Sequence, residues 1–178
     1  MSRRSGPKLD GPTPTKEVER LLQAAVMAPS HHLTEPWRFV VVTSAASEEL
    51  GEVLAASAQD AGANVEAAGR LPTLAPVIIV VIDQAGNDHH VPESDEHYAV
   101  GAAMQNLLLA ASDAGLGTMI RTGFHARSHA VREHLGVKPD ETIAGFIYLG
   151  HVPSDTLKTA PRRSPVAELT EWRGFDRT

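Results

Sequence analysis

The sequence predicts an α+β fold, on three observations. Residues 76–82 form an almost wholly apolar run, which fits a central strand covered on both faces. Residues 95–114 carry small and apolar side chains nearly all round a helical wheel, the pattern of a long, deeply buried helix. Strand and helix segments follow one another without a strict strand–helix–strand rhythm, so an α+β architecture fits better than a doubly wound parallel sheet.

The first dozen residues are polar, with Gly6, Pro7, Gly11 and Pro12, and read as an extended arm. Thr13 suits a helix N-cap and Pro14 the first helical position. Val18, Leu21, Leu22, Ala25 and Val26 then recur on one helical face, and Pro29 predicts a stop near Ala28. Residues 30–36 form a loop with two histidines. Residues 38–43 are β-branched and aromatic, hence a buried strand. Residues 47–57 predict a helix, with Leu50, Val53 and Leu54 on one side. Residues 62–74 carry at most a short helix ending before Pro72. Residues 84–92 are a polar loop, and Gly115 can end the long helix. A short strand at 118–121 leads to Gly123. A short helix at 128–135 ends at Gly136, and 142–149 is the last strand. The tail from His151 carries three prolines and Trp172. It is too long for an ordinary loop, so it is expected to pack on the core or on a second subunit. No repeat or linker interrupts the chain, which is expected to be one domain over residues 1–178.

Composition excludes several functions. The chain has no cysteine, so thiolate metal sites, disulfides and cysteine nucleophiles are absent. A net charge of −6 disfavours sequence-independent nucleic-acid binding. The longest apolar runs fall far short of the ~20 residues of a membrane span, and the N-terminus has no signal-peptide core. A cytoplasmic protein without membrane or nucleic-acid partners is expected. Aromatics are only 4%, so the core must be built mainly of Ala, Leu, Val and Ile.

Four segments can carry chemistry. Arg3-Arg4-Ser5, with Lys8 close by, offers two planar donor forks and a hydroxyl suited to a phosphate; it also reads as a frayed basic terminus. Residues 28–39 run from a helix end through His31, His32 and Glu35 into Pro36-Trp37, a natural ligand-facing loop. A metal is disfavoured there, because the histidines lack ligand spacing. Gly115-Leu116-Gly117 leaves a helix and enters a strand, the reverse of a dinucleotide loop. Arg121, Thr122 and Gly123 end that strand, where backbone N–H groups can face a ligand and Gly123 can admit a flat ring. Arg162-Arg163-Ser164-Pro165 is either a solvated linker or a second basic clamp. No nucleophile elbow or paired carboxylates stand out, which hints that a cofactor does the chemistry.

Taken in order, these segments resemble the nitroreductase-like flavoprotein family over nearly the whole chain. Arg3-Arg4-Ser5 resembles its N-terminal phosphate motif, and residues 18–29 with Pro36-Trp37-Arg38-Phe39 its helix, loop and strand entry. Residues 98–123 resemble its long helix and Gly-Leu-Gly turn, residues 143–150 its penultimate strand, and Arg162-Arg163-Ser164-Pro165 its C-terminal basic motif. His31 after Ala-Pro-Ser, and His89-His90-Val91-Pro92, resemble its short members.

The resemblance implies a nitroreductase-like fold, with a central mixed sheet flanked by helices and a homodimer with extended terminal arms. It implies FMN at the subunit interface. Arg3, Arg4 and Ser5 would contact the phosphate and ribityl side, His31 the flavin, and Arg121, Thr122 and Gly123 the reactive ring edge. Arg163, with Arg162, would close on the phosphate. Glu35 stands beside the ring where the family often has glutamine. The implied reaction is hydride transfer from NADH or NADPH to flavin N5 and on to a nitroaromatic, quinone or similar small acceptor. The alternative is a non-catalytic flavin-binding or flavin-sequestering protein on the same fold. It is motivated by Glu35 and by the short stretch ahead of Arg3, where the family carries a helix.

Overall fold

The computed structural model describes residues 9–12, 15–86, 90–153 and 163–174. Helix α1 (Thr15–Val26) buries Val18, Leu21 and Ala25 along the expected face. Its expected cap, Thr13 with Pro14, lies outside the described residues. Strand β1 (Trp37–Thr43) leads into helix α2 (Ala45–Asp60), which is longer at both ends than its apolar pattern indicated. Two short pieces occupy the segment 62–74. Helix α3 (Val65–Gly69) is capped by Asn64, whose side chain accepts from the Ala67 N–H at 2.9 Å, and a 3-10 turn (Leu71–Leu74) follows. Strand β2 (Val77–Asp83) is buried at every position.

Helix α4 (Glu93–Asp113) and strand β3 (Gly117–Arg121) follow the expected order. A 3-10 turn (Phe124–Arg127), which the sequence pattern did not show, precedes helix α5 (His129–His134). Strand β4 (Thr142–Gly150) comes next, and the described part of the tail holds a 3-10 turn (Val166–Leu169).

The sheet has the order β1-β2-β4-β3. A mixed sheet was expected, but among the described residues every pairing is antiparallel. The reason is topological. Helix α4 carries the chain back along the sheet, so β2 and β3 run the same way. Strand β4 then inserts between them, and no parallel pair forms.

Side-chain alternation along the strands divides the interior into two layers. Val77, Ile79, Val81 and Ile147 pack under α1 and α4, against Leu21, Val100, Ala103 and Leu107. Ile78, Val80, Ile82, Phe146 and Tyr148 pack under α2 and α5, against Leu50, Leu54 and Val131. Asp10 and His151 exchange backbone hydrogen bonds of 2.9 and 2.8 Å at the β4 exit, pinning the described N-terminal piece there. Gly150 is required at that crossing, because a Cβ on it would lie 2.7 Å from Pro76 Cδ.

Candidate functional site

Strand direction gathers the polar segments at one end of the sheet. Register puts Trp37 beside Asp83, and Asp83 beside Thr142. The entry to β1, the exit of β2 and the entry to β4 are therefore neighbours. Strand β3 also runs toward this end, with Arg121 opposite Phe146.

A buried carboxylate ties this end together. Glu141 is 1% exposed. Arg38 donates to it twice, from Nε at 2.9 Å and Nη2 at 2.6 Å. Gln84 Nε2 donates at 2.8 Å and the Lys138 backbone N–H at 2.9 Å. Burial alone would raise its pKa, but the Arg38 bonds first, with those from Lys138 and Gln84, hold it down at about 2. The same bonds raise the pKa of Arg38. This fork joins β1, the β2 exit and the loop before β4. Next to it, Asp83 Oδ2 lies 2.7 Å from His97 Nδ1, and buried Glu96 accepts from the Gly86 N–H at 2.6 Å. These contacts fix the N-terminal turns of α4 against the β2 exit.

The histidine loop sits over the same end. His31 Nδ1 lies 3.1 Å from Asp95 Oδ2 on α4, and its ring stacks on His32 with centroids 4.7 Å apart. His32, Leu33 and Glu35 all have positive φ, at 52°, 57° and 46°. A run of left-handed non-glycine residues is costly and is tolerated where surrounding contacts enforce it. The Glu35 N–H donates to Ser30 Oγ at 3.3 Å, while the exposed Glu35 carboxylate forms no ion pair among the described residues.

At the other edge, Arg121 is half-buried with its guanidinium carbon 5.8 Å from the Tyr148 ring centroid. Its Nε is buried and has no acceptor among the described residues. Thr122 and Gly123 are exposed. Gly123 has φ 99° and ψ −162°, a region essentially reserved for glycine, and among the described residues nothing lies within 4 Å of where its Cβ would be. The backbone here is thus open to close approach by a flat molecule. A depression of about 540 Å³ lies over it, lined by Thr122, Gly123, Arg127, Arg132 and Ile143 among others. That volume is in the range of cofactor sites. A smaller cleft, of about 200 Å³, opens beside Thr122 on the α2 side.

The site residues expected from sequence therefore fall into separate groups. His31 and Glu35 share the loop at the β1 edge, and Arg121, Thr122 and Gly123 share the β3 edge. Arg163 is exposed, and among the described residues nothing joins it to either group. Arg3, Arg4, Ser5 and Arg162 lie outside the described residues, as does His89. Among the described residues no cluster of three or more His, Cys, Asp or Glu side chains is arranged to hold a metal. No helix there is long and apolar enough to cross a membrane.

Sequence reasoning missed Glu141, His125 and Tyr148. His125 is buried in the 3-10 turn, where burial lowers its pKa, and its Nδ1 has no partner among the described residues. Burial also pushes the Tyr148 hydroxyl up to about 12. Glu141 could have been suspected only by pairing it with Arg38, far away in the chain.

Known proteins match this arrangement. The model of the Nitroreductase family matches residues 2–151. "Putative NAD(P)H nitroreductase YdjA" of Escherichia coli (strain K12) is 34% identical over 154 residues, covering 84% of each chain. A nitroreductase-like family protein from Bacillus cereus superposes with a TM-score of 0.86 at 22% identity, over 98% of this chain and 93% of the other. A Desulfovibrio desulfuricans structure, "a putative nitroreductase in complex with fmn", gives a TM-score of 0.74 at 27% identity, over 98% of this chain and 94% of the other. The chain belongs to the nitroreductase family.

Proposed function

We propose that this chain is an FMN-dependent oxidoreductase that moves a hydride from NADH or NADPH to a small acceptor such as a nitroaromatic or quinone. The observation that carries the reading is the open backbone at Gly123, on the sheet's edge strand, under a depression of cofactor size. When bound there, FMN supplies the two-electron redox chemistry that the side chains lack.

The chain's own residues bind and orient. Thr122 and Gly123 offer their backbone to the ring edge, where N–H donors favour a reduced, electron-rich ring. Arg3, Arg4 and Ser5, with Arg162 and Arg163, take the phosphate through charge-assisted bonds of about 1.5–3 kcal/mol each. His31, held by Asp95, contacts the ring from the loop. A homodimer is part of the proposal. The order β1-β2-β4-β3 leaves the His31 loop and Arg121 at opposite sheet edges. Three strand spacings separate those edges by about 14 Å. Two copies can bring His31 of one to Gly123 of the other at a shared ring. A cytoplasmic location belongs to the same reading and rests on composition.

The test is anaerobic spectroscopy of the purified protein. A flavin band that bleaches with NADH or NADPH and returns with an added quinone supports the reading. A protein that takes up no FMN refutes it. A flavin band that neither nicotinamide bleaches selects the flavin-sequestering alternative, which the exposed Glu35 carboxylate in the loop, without an ion pair among the described residues, favours.

A further inference from the structure

We propose that the cleft between Arg121, His125 and Tyr148 binds a small monocarboxylate with a compact apolar body, on the α2 side of Thr122, which it shares with the flavin depression. Strand register sends the Arg121 side chain to the α2 face of the sheet, the face of Met119, Phe146 and Tyr148. The cleft there holds about 200 Å³. Leu54, Leu71 and Phe146 give it apolar walls, and among the described residues no acidic side chain lines it.

Among the described residues, two polar groups in it lack partners. The Arg121 guanidinium, always charged, makes no ion pair or hydrogen bond among the described residues, and its buried Nε has no acceptor. Its guanidinium carbon lies 5.8 Å from the Tyr148 ring centroid. His125 is 8% exposed, and its Nδ1 is buried without a partner. Buried polar groups normally find partners, so the Arg121 Nε–H and a His125 imidazole that can carry its proton on Nδ1 mark a place where a partner is missing. Burial keeps His125 neutral and Tyr148 protonated near pH 7, so Arg121 alone sets the sign of the charge. An anion is therefore the fitting guest. The half-buried guanidinium can rotate to meet an entering carboxylate, and the imidazole can supply the second hydrogen bond.

Size selects the rest of the ligand. A cavity of about 150 Å³ lined by apolar side chains accommodates benzene. One ring or a short branched chain therefore fits here, while the three fused rings of a flavin do not. Inorganic phosphate would leave the leucine and phenylalanine walls wet.

Cyclohexanecarboxylate is the probe, because a saturated ring does not stack on a flavin. Calorimetric titration of the purified protein should give saturable one-site binding. Cyclohexylmethanol, with the same ring and no charge, should bind roughly tenfold more weakly or worse. The His125→Leu variant should lose at least roughly tenfold in affinity. Should that variant fail to fold, the imidazole 15N resonances of His125 in the wild-type protein decide, and they should shift in step with saturation. Absence of binding up to roughly 10 mM overturns the proposal, as do unmoved His125 signals or equal affinity for the neutral alcohol. Release of bound flavin by the probe also overturns it, because both ligands would then share one place. A protein without flavin that still binds the probe would refute the proposed function and leave this assignment standing.

Discussion

Replacing Glu141 by glutamine isolates the contribution of its charge. The substitution keeps the shape of the side chain and removes the charge that Arg38, Gln84 and Lys138 address. The structure sets the size of the effect. The carboxyl falls from its ordinary 4.5 to about 2 on folding, chiefly through Arg38. At about 1.4 kcal/mol per pH unit this is about 3 kcal/mol of stability. The sign follows from a depressed folded value. The contribution is complete above pH 4.5 and is lost as pH falls toward 2. E141Q should therefore be less stable than wild type by about 3 kcal/mol at pH 7, or roughly 6–12 °C in melting temperature. The gap should close on acidification, because the glutamine has no proton to gain. Urea unfolding of both proteins at pH 7, 4 and 3 measures it, with concentrations around physiological salt. Equal stability at pH 7, or a gap that stays constant down to pH 3, would refute the reasoning.

Other consequences are equally direct. Gly123→Ala forces a side chain into backbone angles of 99° and −162°, so it should cost about 1–3 kcal/mol and weaken flavin retention; thermal melts and flavin release by ultrafiltration read both. Arg3→Ala combined with Arg163→Ala should lower FMN affinity at least roughly tenfold without a change in melting temperature of the flavin-free protein. Unchanged affinity would contradict the phosphate assignment. Leu107→Ala, at a fully buried position of α4, should cost about 2–5 kcal/mol in urea unfolding, whether or not flavin is present.

Elements whose environment is written locally were legible in the sequence. The β2 run announced a strand buried on both faces, and the small residues of α4 announced a helix packed nearly all round. What depends on pairing between distant segments was not. The antiparallel sheet follows from β4 inserting between β2 and β3, which no local pattern encodes. The Arg38–Glu141 fork joins residues 103 apart, and Glu141 looks like any surface acid until its partners are known. His125 was passed over because the 3-10 turn that buries it has too few residues to show periodicity. The candidate site itself remains a proposal. The segment 121–123 was chosen from a strand end and a glycine, and the structure adds that Gly123 has positive φ with open space around it among the described residues. His31 was chosen by its loop; its placement at the sheet edge opposite Arg121 was not foreseen, and it accords with the shared site that the resemblance implies.

The most direct measurement is reductive titration of the purified protein under anaerobic conditions. A bound flavin whose absorbance falls with stoichiometric NADH or NADPH, and recovers when a quinone or nitroaromatic is added, is the predicted result. A protein that neither carries nor takes up FMN would contradict the proposal.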